Sequence, residues 1–457
     1  MVGSAAVDVV IIGGGIVGTV LAKALSEGVS YNNIEAKHDG LRVVLIDAAD
    51  PLETQGTLND FNPFTDTRVI ALSRRTVNEL AAVGLSLDSL AKQHNGELPP
   101  DIKHIEVSDK GHVGLLNLHS DDYHVDAFGQ VVSLGAFTRL AAHASAAYQH
   151  LAPAKVVSVK QHLDHVDILL DSGEALTTKL LVLADGGRSR LAESVGIKKT
   201  ITDYHQTAIV FNVHTQMPHD NKAYERFTDS GPLAFLPFDS EINGVKAKGN
   251  GFSVVWTVET QAADALMAMN NDAFITALQQ AFGYRQGTIK RVSSKASYPL
   301  ALTKAEQVAT HRTVVIGNAA QSLHPIAGQG FNLGLRDISA LLLVLKNALL
   351  ELSAQHAKSN DNEQRREQKK HNSAFDAGAF NVVQRYAHER KKDRANTIAL
   401  TDTLVRTFSN HYFPTVIGRN ISLLALSMMP EAKKTFVKHT TGYGITPDRN
   451  RDNNAAC

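Results

Sequence analysis

Gly13, Gly15 and Gly18 stand in the order G-x-G-x-x-G, within GGGIVG, directly after the β-branched run Val7–Ile12. This spacing suits a pyrophosphate. The first glycine permits a tight turn, the second lets phosphates approach the backbone, and the third lets helix and strand pack closely. Amides and the dipole at the start of the following helix then favour negative charge. An acid ending the second strand should hold ribose hydroxyls, and Asp47 ends Arg42–Asp47, RVVLID. It lies 29 residues past Gly18, where about 20 is usual; an enlarged polar loop, Glu27–Gly40, accounts for the excess. The pattern specifies a dinucleotide without separating FAD from NAD.

Two later stretches carry related signals. In LLVLADGGRS a buried strand, Leu180–Leu183, runs into Asp185 and Gly186. In TVVIGNAAQSLHPIAGQGFNLGLRD a strand, Thr313–Ile316, ends at Gly317 and Asn318. A proline-kinked loop with His324 and Pro325 follows, then Gly328, Gln329, Gly330, Phe331 and Asn332 lead into a helix. Amides at a helix N-terminus suit an anion there too. Either stretch alone reads as an ordinary strand–loop–helix junction.

These loops need a parallel sheet to hold them. Val7–Ile12 and Arg42–Asp47 read as its strands, with Ile16–Leu25 as the helix between. Ser73 should cap a helix that runs through Leu80 to Ala82 and stops at Gly84. Leu134–Tyr148 reads as another helix. Lys155–Lys160, His165–Leu170 and Leu180–Leu183 read as short strands. From about Thr207 to Leu300 alternating strands such as Phe252–Val258 dominate, with helices near Ala262–Ala268 and Ala273–Phe282. A long helix, Asn332–Leu350, then returns to α/β style.

The expected division is therefore a nucleotide-binding domain over 1–206, with an excursion into the substrate domain near 86–125. A β-rich substrate domain over 207–300 follows, and the first domain resumes over 301–352. Residues 353–373 are expected as a flexible insertion or as the solvated face of a frayed helix, 374–444 as C-terminal helices, and 445–457 as a disordered tail.

Composition narrows the function. The chain has 457 residues, with 46 lysines plus arginines against 46 acids. That zero balance argues against nucleic acid as a partner. The single cysteine, Cys457, excludes a disulfide framework, a zinc ribbon and an iron–sulfur site. Twenty histidines form no HExxH motif, so no metal is expected and they are read as surface or core residues. The basic runs Arg365–Lys370 and Arg390–Arg394 contain acids and read as solvated faces. No signal peptide is expected, since Asp8 precedes the first apolar run. The apolar stretch Ile338–Leu350 is 13 residues long, short of the ~20 that cross a bilayer. A cytoplasmic protein is expected.

Together the three stretches resemble the flavoprotein aromatic hydroxylases, the FAD monooxygenases of the p-hydroxybenzoate hydroxylase fold. The resemblance implies a Rossmann-like FAD/NAD(P)-binding α/β domain, an inserted β-rich substrate domain and C-terminal helices. DTRVIALSRRTVNEL (Asp66–Leu80), FGQVVSL (Phe128–Leu134), YHQTAIVFNV (Tyr204–Val213) and AYERFTDSGPLAFLPF (Ala223–Phe238) are similar to the ubiquinone-biosynthesis hydroxylases. The form Gly317-Asn318-Ala-Ala-Gln321 resembles the 2-polyprenyl-6-methoxyphenol hydroxylase branch.

The resemblance implies FAD bound by Gly13, Gly15, Gly18, Asp47, Arg68, Asp185, Gly186, Gly317, Asn318, Gly328, Gly330, Phe331 and Asn332. His324, Pro325, Gly328, Gln329 and Gly330 would form the flavin-facing loop. Phe235, Leu236, Pro237 and Phe238 would lie near the substrate ring. NAD(P)H is implied as a transient co-substrate, with O2 and a polyprenylated phenol as the other reactants, through a flavin C4a-hydroperoxide. No general base is assigned. Two departures stand out: Asn318 replaces the usual aspartate, and Ala192 stands where the DG motif usually has arginine, for which Arg188 or Arg190 could substitute. Other ubiquinone-biosynthesis proteins are implied as partners. Ile417–His439, with Lys433, Lys434 and Lys438, reads either as a helix covering the core or as a contact with the inner membrane surface.

Overall fold

The computed structural model describes residues 7–27, 41–49, 65–93, 97–143, 147–187, 189–325, 328–359 and 375–408, with isolated positions between 431 and 441. The enlarged loop after Glu27, the run Arg365–Lys370 and the C-terminal tail lie outside the described residues.

The first sheet has a parallel centre. Strands β1 (Val7–Ile12), β2 (Val43–Ile46), β3 (Ala175–Leu183) and β4 (Thr313–Val315) lie in the order β4-β3-β1-β2, and Gln149–Leu151 pairs parallel beyond β2. Their buried stretches Val9–Ile12, Val43–Ile46 and Leu180–Leu183 are unbroken Val, Ile and Leu runs, as strands covered on both faces require. Helix α1 (Ile16–Ser26) is buried along nearly its whole length, Val20, Leu21 and Leu25 included. Ser73 does cap the helix Arg74–Ala82, its hydroxyl accepting from the Thr76 amide.

Between β3 and β4 in sequence lies most of a second, nine-stranded sheet. Its centre pairs Lys199–Thr215 with Gly251–Glu259, and Gly231–Pro237 with Gly251–Glu259, all antiparallel. His104–Asp109 and Leu115–His119 join at one edge, so the chain crosses to this sheet before β3 as well. One face packs on the helices Thr260–Ala268 and Asn271–Phe282 through Phe211, Phe235, Phe252, Phe274 and Phe282.

Two long helices follow, α2 (Gln329–Ser359) and α3 (Phe380–Phe408). Two expectations need correction, and one is narrowed. The helix from Leu134 ends at His143, because Gln149–Leu151 is needed as an edge strand beside β2. Helix α2 runs on to Ser359, so the start of the stretch read as a flexible insertion or as the solvated face of a frayed helix is helical, and its remainder lies outside the described residues. The run Arg390–Arg394 is not a solvated face: Arg390 and Asp393 are buried, while Lys391 and Lys392 between them are exposed. Helical periodicity puts positions 390, 393 and 394 on one side, and partners on α2 meet them there. Among the described residues no helix is long and apolar enough to cross a membrane.

Candidate active site

Three loops meet at the carboxyl ends of the parallel strands, the place where open α/β sheets bind ligands. The loop after β1 is shaped by its glycines. Gly13 has φ +115°, and a Cβ there would sit 2.4 Å from the Ala184 carbonyl oxygen, so only glycine lets β1 and β3 close together. A Cβ on Gly18 would meet the Gly13 oxygen at 1.9 Å, whereas a Cβ on Gly15 would meet nothing within 4 Å. Gly15 thus leaves a cradle beside the first amides of α1, which no side chain caps. The Asp47 carboxylate lies against Gly14, where a Cβ would come within 2.2 Å of its Oδ2. These features fit the adenosine and pyrophosphate end of a dinucleotide.

In the loop after β3, Asp185 holds the turn together. Its carboxylate accepts from the Gly187 amide (3.0 Å), the Ser189 amide (3.2 Å) and the Ser189 hydroxyl. Both oxygens serve the turn, so Asp185 shapes the loop instead of reaching outward. Gly186 is exposed at φ +71°. A Cβ on Gly187 would lie 3.0 Å from the Asn318 oxygen, which shows how closely the second and third loops approach. Ala192 is buried in the first core. Arg190 is exposed beside it, and Arg188 lies outside the described residues.

The third loop is held from behind. Gly317, at φ +60°, donates its amide to Asp337 Oδ2 at 2.9 Å. Asp337 also accepts from Gln321 Nε2 (3.0 Å) and Arg390 Nε (2.6 Å). Arg390 continues to Asp393, which takes Arg336 Nη1 at 2.6 Å, and Arg394 donates to Gln321 Oε1 at 2.8 Å. Burial pushes the Arg390 guanidinium down, but Asp337 and Asp393 outweigh it and hold it above its ordinary value. Sequence reasoning missed this network; its signal was the spacing of Arg390, Asp393 and Arg394 on one helix face opposite Arg336-Asp337. Asn318 itself is exposed at the cavity, free of a side-chain role in that network.

Helix α2 opens at Gln329, so its first-turn amides have no partner within the helix. A Cβ on Gly330 would meet nothing within 4 Å, a second cradle at a helix start. Gly328, at φ +60°, spends its own amide on the Pro325 carbonyl at 3.0 Å. Asn332 is fully engaged: Oδ1 accepts from the Ser73 amide (2.9 Å), and Nδ2 donates to the Ala71 (3.1 Å) and Gly328 (2.8 Å) carbonyls. It fastens strand Val69–Ser73 to the loop. His324 is buried and sits edge-on to Tyr204 with centroids 5.5 Å apart; burial pulls its imidazole down to about 4, so it is neutral at neutral pH. The Tyr204 hydroxyl donates to Asp402 on α3 at 3.1 Å.

A cavity of about 690 Å³ opens beside this loop. Asn318, Ser322, Pro325, Gly328, Gln329 and Gly330 border one end, together with Phe331 and Asn332. The rest of the wall is mainly apolar: Ile105, Val107, Leu116, Phe227, Leu236 and Leu404. The expected substrate residues divide by strand alternation. Leu236 and its neighbour Ala234 face the cavity; Phe235 faces the other way and stacks on Phe282 at 3.8 Å. Phe235, Pro237 and Phe238 are buried and do not line the cavity. Arg68 is exposed, held near Asp66 at 3.4 Å, and does not line it either. The walls from His104–Asp109 and Leu115–His119 belong to the excursion expected near 86–125, whereas the wall from α3 carries no motif and was not foreseen.

The FAD binding domain model matches residues 6–370 of the chain. Over 443 residues the chain is 32% identical to the ubiquinone hydroxylase UbiL of Rhodospirillum rubrum, covering 95% of this chain and 89% of that protein. The chain belongs to the FAD-dependent hydroxylases of ubiquinone biosynthesis. Another member of this family, the 3-demethoxyubiquinol 3-hydroxylase of Escherichia coli, is 26% identical, covering 95% of this chain and 98% of that protein. Among solved structures, p-nitrophenol 4-monooxygenase PnpA from Pseudomonas putida superposes with a TM-score of 0.67 at 15% identity, covering 97% and 99% of the two chains. PqsL from Pseudomonas aeruginosa gives 0.62 at 19% identity, covering 89% and 97%. These two likenesses show the fold. The protein is thus a flavoprotein monooxygenase, and the cradles at Gly15 and Gly330 stand open beside two helix starts.

Proposed function

We propose that this flavoprotein uses NAD(P)H and O2 to hydroxylate the ring of a polyprenylated phenol, 2-polyprenyl-6-methoxyphenol. The observation that carries the reading is the cavity. One end is bordered by the loop at Asn318 and Gly330, and the long remainder is hydrocarbon-lined, as a ring with an apolar tail requires. Bound FAD, reduced by NAD(P)H, would supply the two electrons that activate O2, one atom of which goes to the ring while the other leaves as water. The chain's own residues do the rest. The glycine cradles and Asp47 bind the adenosine and pyrophosphate, and Asn318 presents an amide oxygen toward a ribose hydroxyl. The α2 N-terminus favours negative charge beside Gly330. Leu236, Val107 and Phe227 exclude water and hold the tail, whose burial contributes about 25 cal/mol per Å². Orientation of the ring then decides whether oxygen is transferred.

A substrate buried in the bilayer also favours a peripheral station on the inner membrane, with exposed Lys434 and Lys438 on the membrane side. The test follows NADPH oxidation, hydrogen peroxide and labelled-oxygen product together as the tail is shortened. Coupling is expected to fall with tail length. Equal efficiency and coupling on a tail-less phenol would sink the polyprenyl assignment, and product without labelled oxygen would indicate a reductase. Preference for 3-demethoxyubiquinol would move the substrate to another ring position.

A further inference from the structure

At the opposite end of the first sheet from the cofactor loops, a hairpin joins Val156–Gln161 to Val166–Leu170. The two-residue tip, Leu163-Asp164, is closed by the His162 amide donating to the His165 carbonyl at 2.8 Å. His162 and His165 are therefore directly opposed, and Asp167 follows two residues on, on the face of His165. The rings of His162 and His165 stack with centroids 4.5 Å apart. His162 Nε2 lies 3.1 Å from Asp167 Oδ2, and His165 Nε2 lies 3.5 Å from Asp167 Oδ1. One nitrogen from each ring and a carboxylate oxygen all fall within 4.8 Å of one another.

We propose that His162, His165 and Asp167 bind a divalent first-row transition ion of the Zn2+ class, as a structural clasp on this hairpin. Two imidazoles and a carboxylate are the donors such an ion takes, with bonds of about 2.0–2.2 Å; ligand atoms of a tetrahedral site are then about 3.3 Å apart. The observed 3.1 and 3.5 Å, each to a different oxygen of the carboxylate, are close to that edge. His162 Nε2 is shielded from solvent and lies against the Asp167 carboxylate. With His162 Nε2 unprotonated, that nitrogen, His165 Nε2 and the carboxylate present lone pairs to a common point, which a cation would fill.

The supporting groups are in place as well. Asp164 Oδ1 takes His165 Nδ1 at 2.7 Å, which leaves Nε2 as the ligating nitrogen. The Thr177 hydroxyl donates to Asp167 Oδ1 at 3.0 Å and fixes the carboxylate. Such outer partners orient ligands in established metal sites. The tip is also anchored: His311 Nε2 meets the His162 carbonyl at 2.8 Å, and Arg312 Nε donates to that of Leu163 at 2.8 Å. The clasp therefore ties the hairpin beside the start of β4, whereas Gly317 follows its far end. Its role is stability, separate from the flavin chemistry.

The experiment uses the FAD-loaded, tag-free full chain after chelator treatment, titrated with Zn2+ by calorimetry and with Mg2+ as control. One equivalent of Zn2+ is expected to bind, with no heat from Mg2+, and the melting temperature should rise. His165→Phe keeps the stacked ring pair but removes a ligand nitrogen, and should weaken binding at least tenfold. Asp164→Asn removes only the outer carboxylate and should cost about 10-fold or more. FAD content and NADPH oxidation should not change in either variant. Zn2+ binding equal in wild type and His162→Phe/His165→Phe overturns the assignment, as does the absence of a Zn2+-specific event in wild type. Asp167→Asn gives a second line that disturbs the fold less: unchanged affinity there also overturns it.

Discussion

Two Gly→Ala substitutions in one loop should fail in opposite ways. At Gly15 the backbone has φ −64° and ψ 172°, which alanine adopts without strain, and the added methyl meets no protein atom within 4 Å. Loss of glycine at a helix N-cap costs the apoprotein no more than about 1 kcal/mol. The methyl does occupy the cradle. If a cofactor phosphate must retreat from one amide there, a hydrogen bond to a charged group is lost, about 1.5–3 kcal/mol, or a roughly 10- to 150-fold weaker FAD complex. At Gly18 the conflict is internal, because the methyl would lie 1.9 Å from the Gly13 oxygen. Helix α1 must move off β1, and overpacking of this kind costs about 1–3 kcal/mol or more. The assay is paired: thermal unfolding of each apoprotein, and FAD affinity from flavin fluorescence. Gly15→Ala should melt like wild type and lose FAD; Gly18→Ala should melt early. Full FAD affinity in Gly15→Ala would refute the cradle, and an unshifted melt in Gly18→Ala would refute the packing geometry.

The alternation along Gly231–Pro237 separates two neighbours: Phe235→Ala should destabilise by about 3–5 kcal/mol, measured by denaturant unfolding. Leu236→Trp should leave stability nearly unchanged and weaken long-tailed phenols instead; the reverse pattern would place the cavity on the other face. For His324, an unfolded chain takes up a proton near 6.5 that the folded chain refuses until about 4. Stability should therefore fall as pH drops through that window, by up to about 3 kcal/mol. His324→Gln should remove that part of the loss, and identical pH profiles would contradict the burial argument. Arg390→Leu strands the buried Asp337 and should cost about 3–5 kcal/mol, with looser FAD binding; an unperturbed melt would show that the network carries little.

What the chain determined by itself was local. The run Val7–Ile12, the glycines after it and Asp47 at the end of β2 state their chemistry through spacing, because one turn and one strand length place them. The Ser73 cap is legible for the same reason. The β-rich character of the second sheet showed as alternation, but which alternate faces the substrate did not. That depends on where the helices Thr260–Ala268 and Asn271–Phe282 pack, so Phe235 turns to them and Leu236 to the cavity. The C-terminal helix was misread for a related reason. Arg390 and Asp393 look like solvated charges until α2 lies across them and supplies Arg336 and Asp337. His162, His165 and Asp167 match no metal spacing along the chain; only the hairpin register sets them face to face. Residue type and short-range spacing are properties of the sequence, whereas the partner across a strand or helix is chosen by the packing of distant segments, and tertiary structure alone decides it.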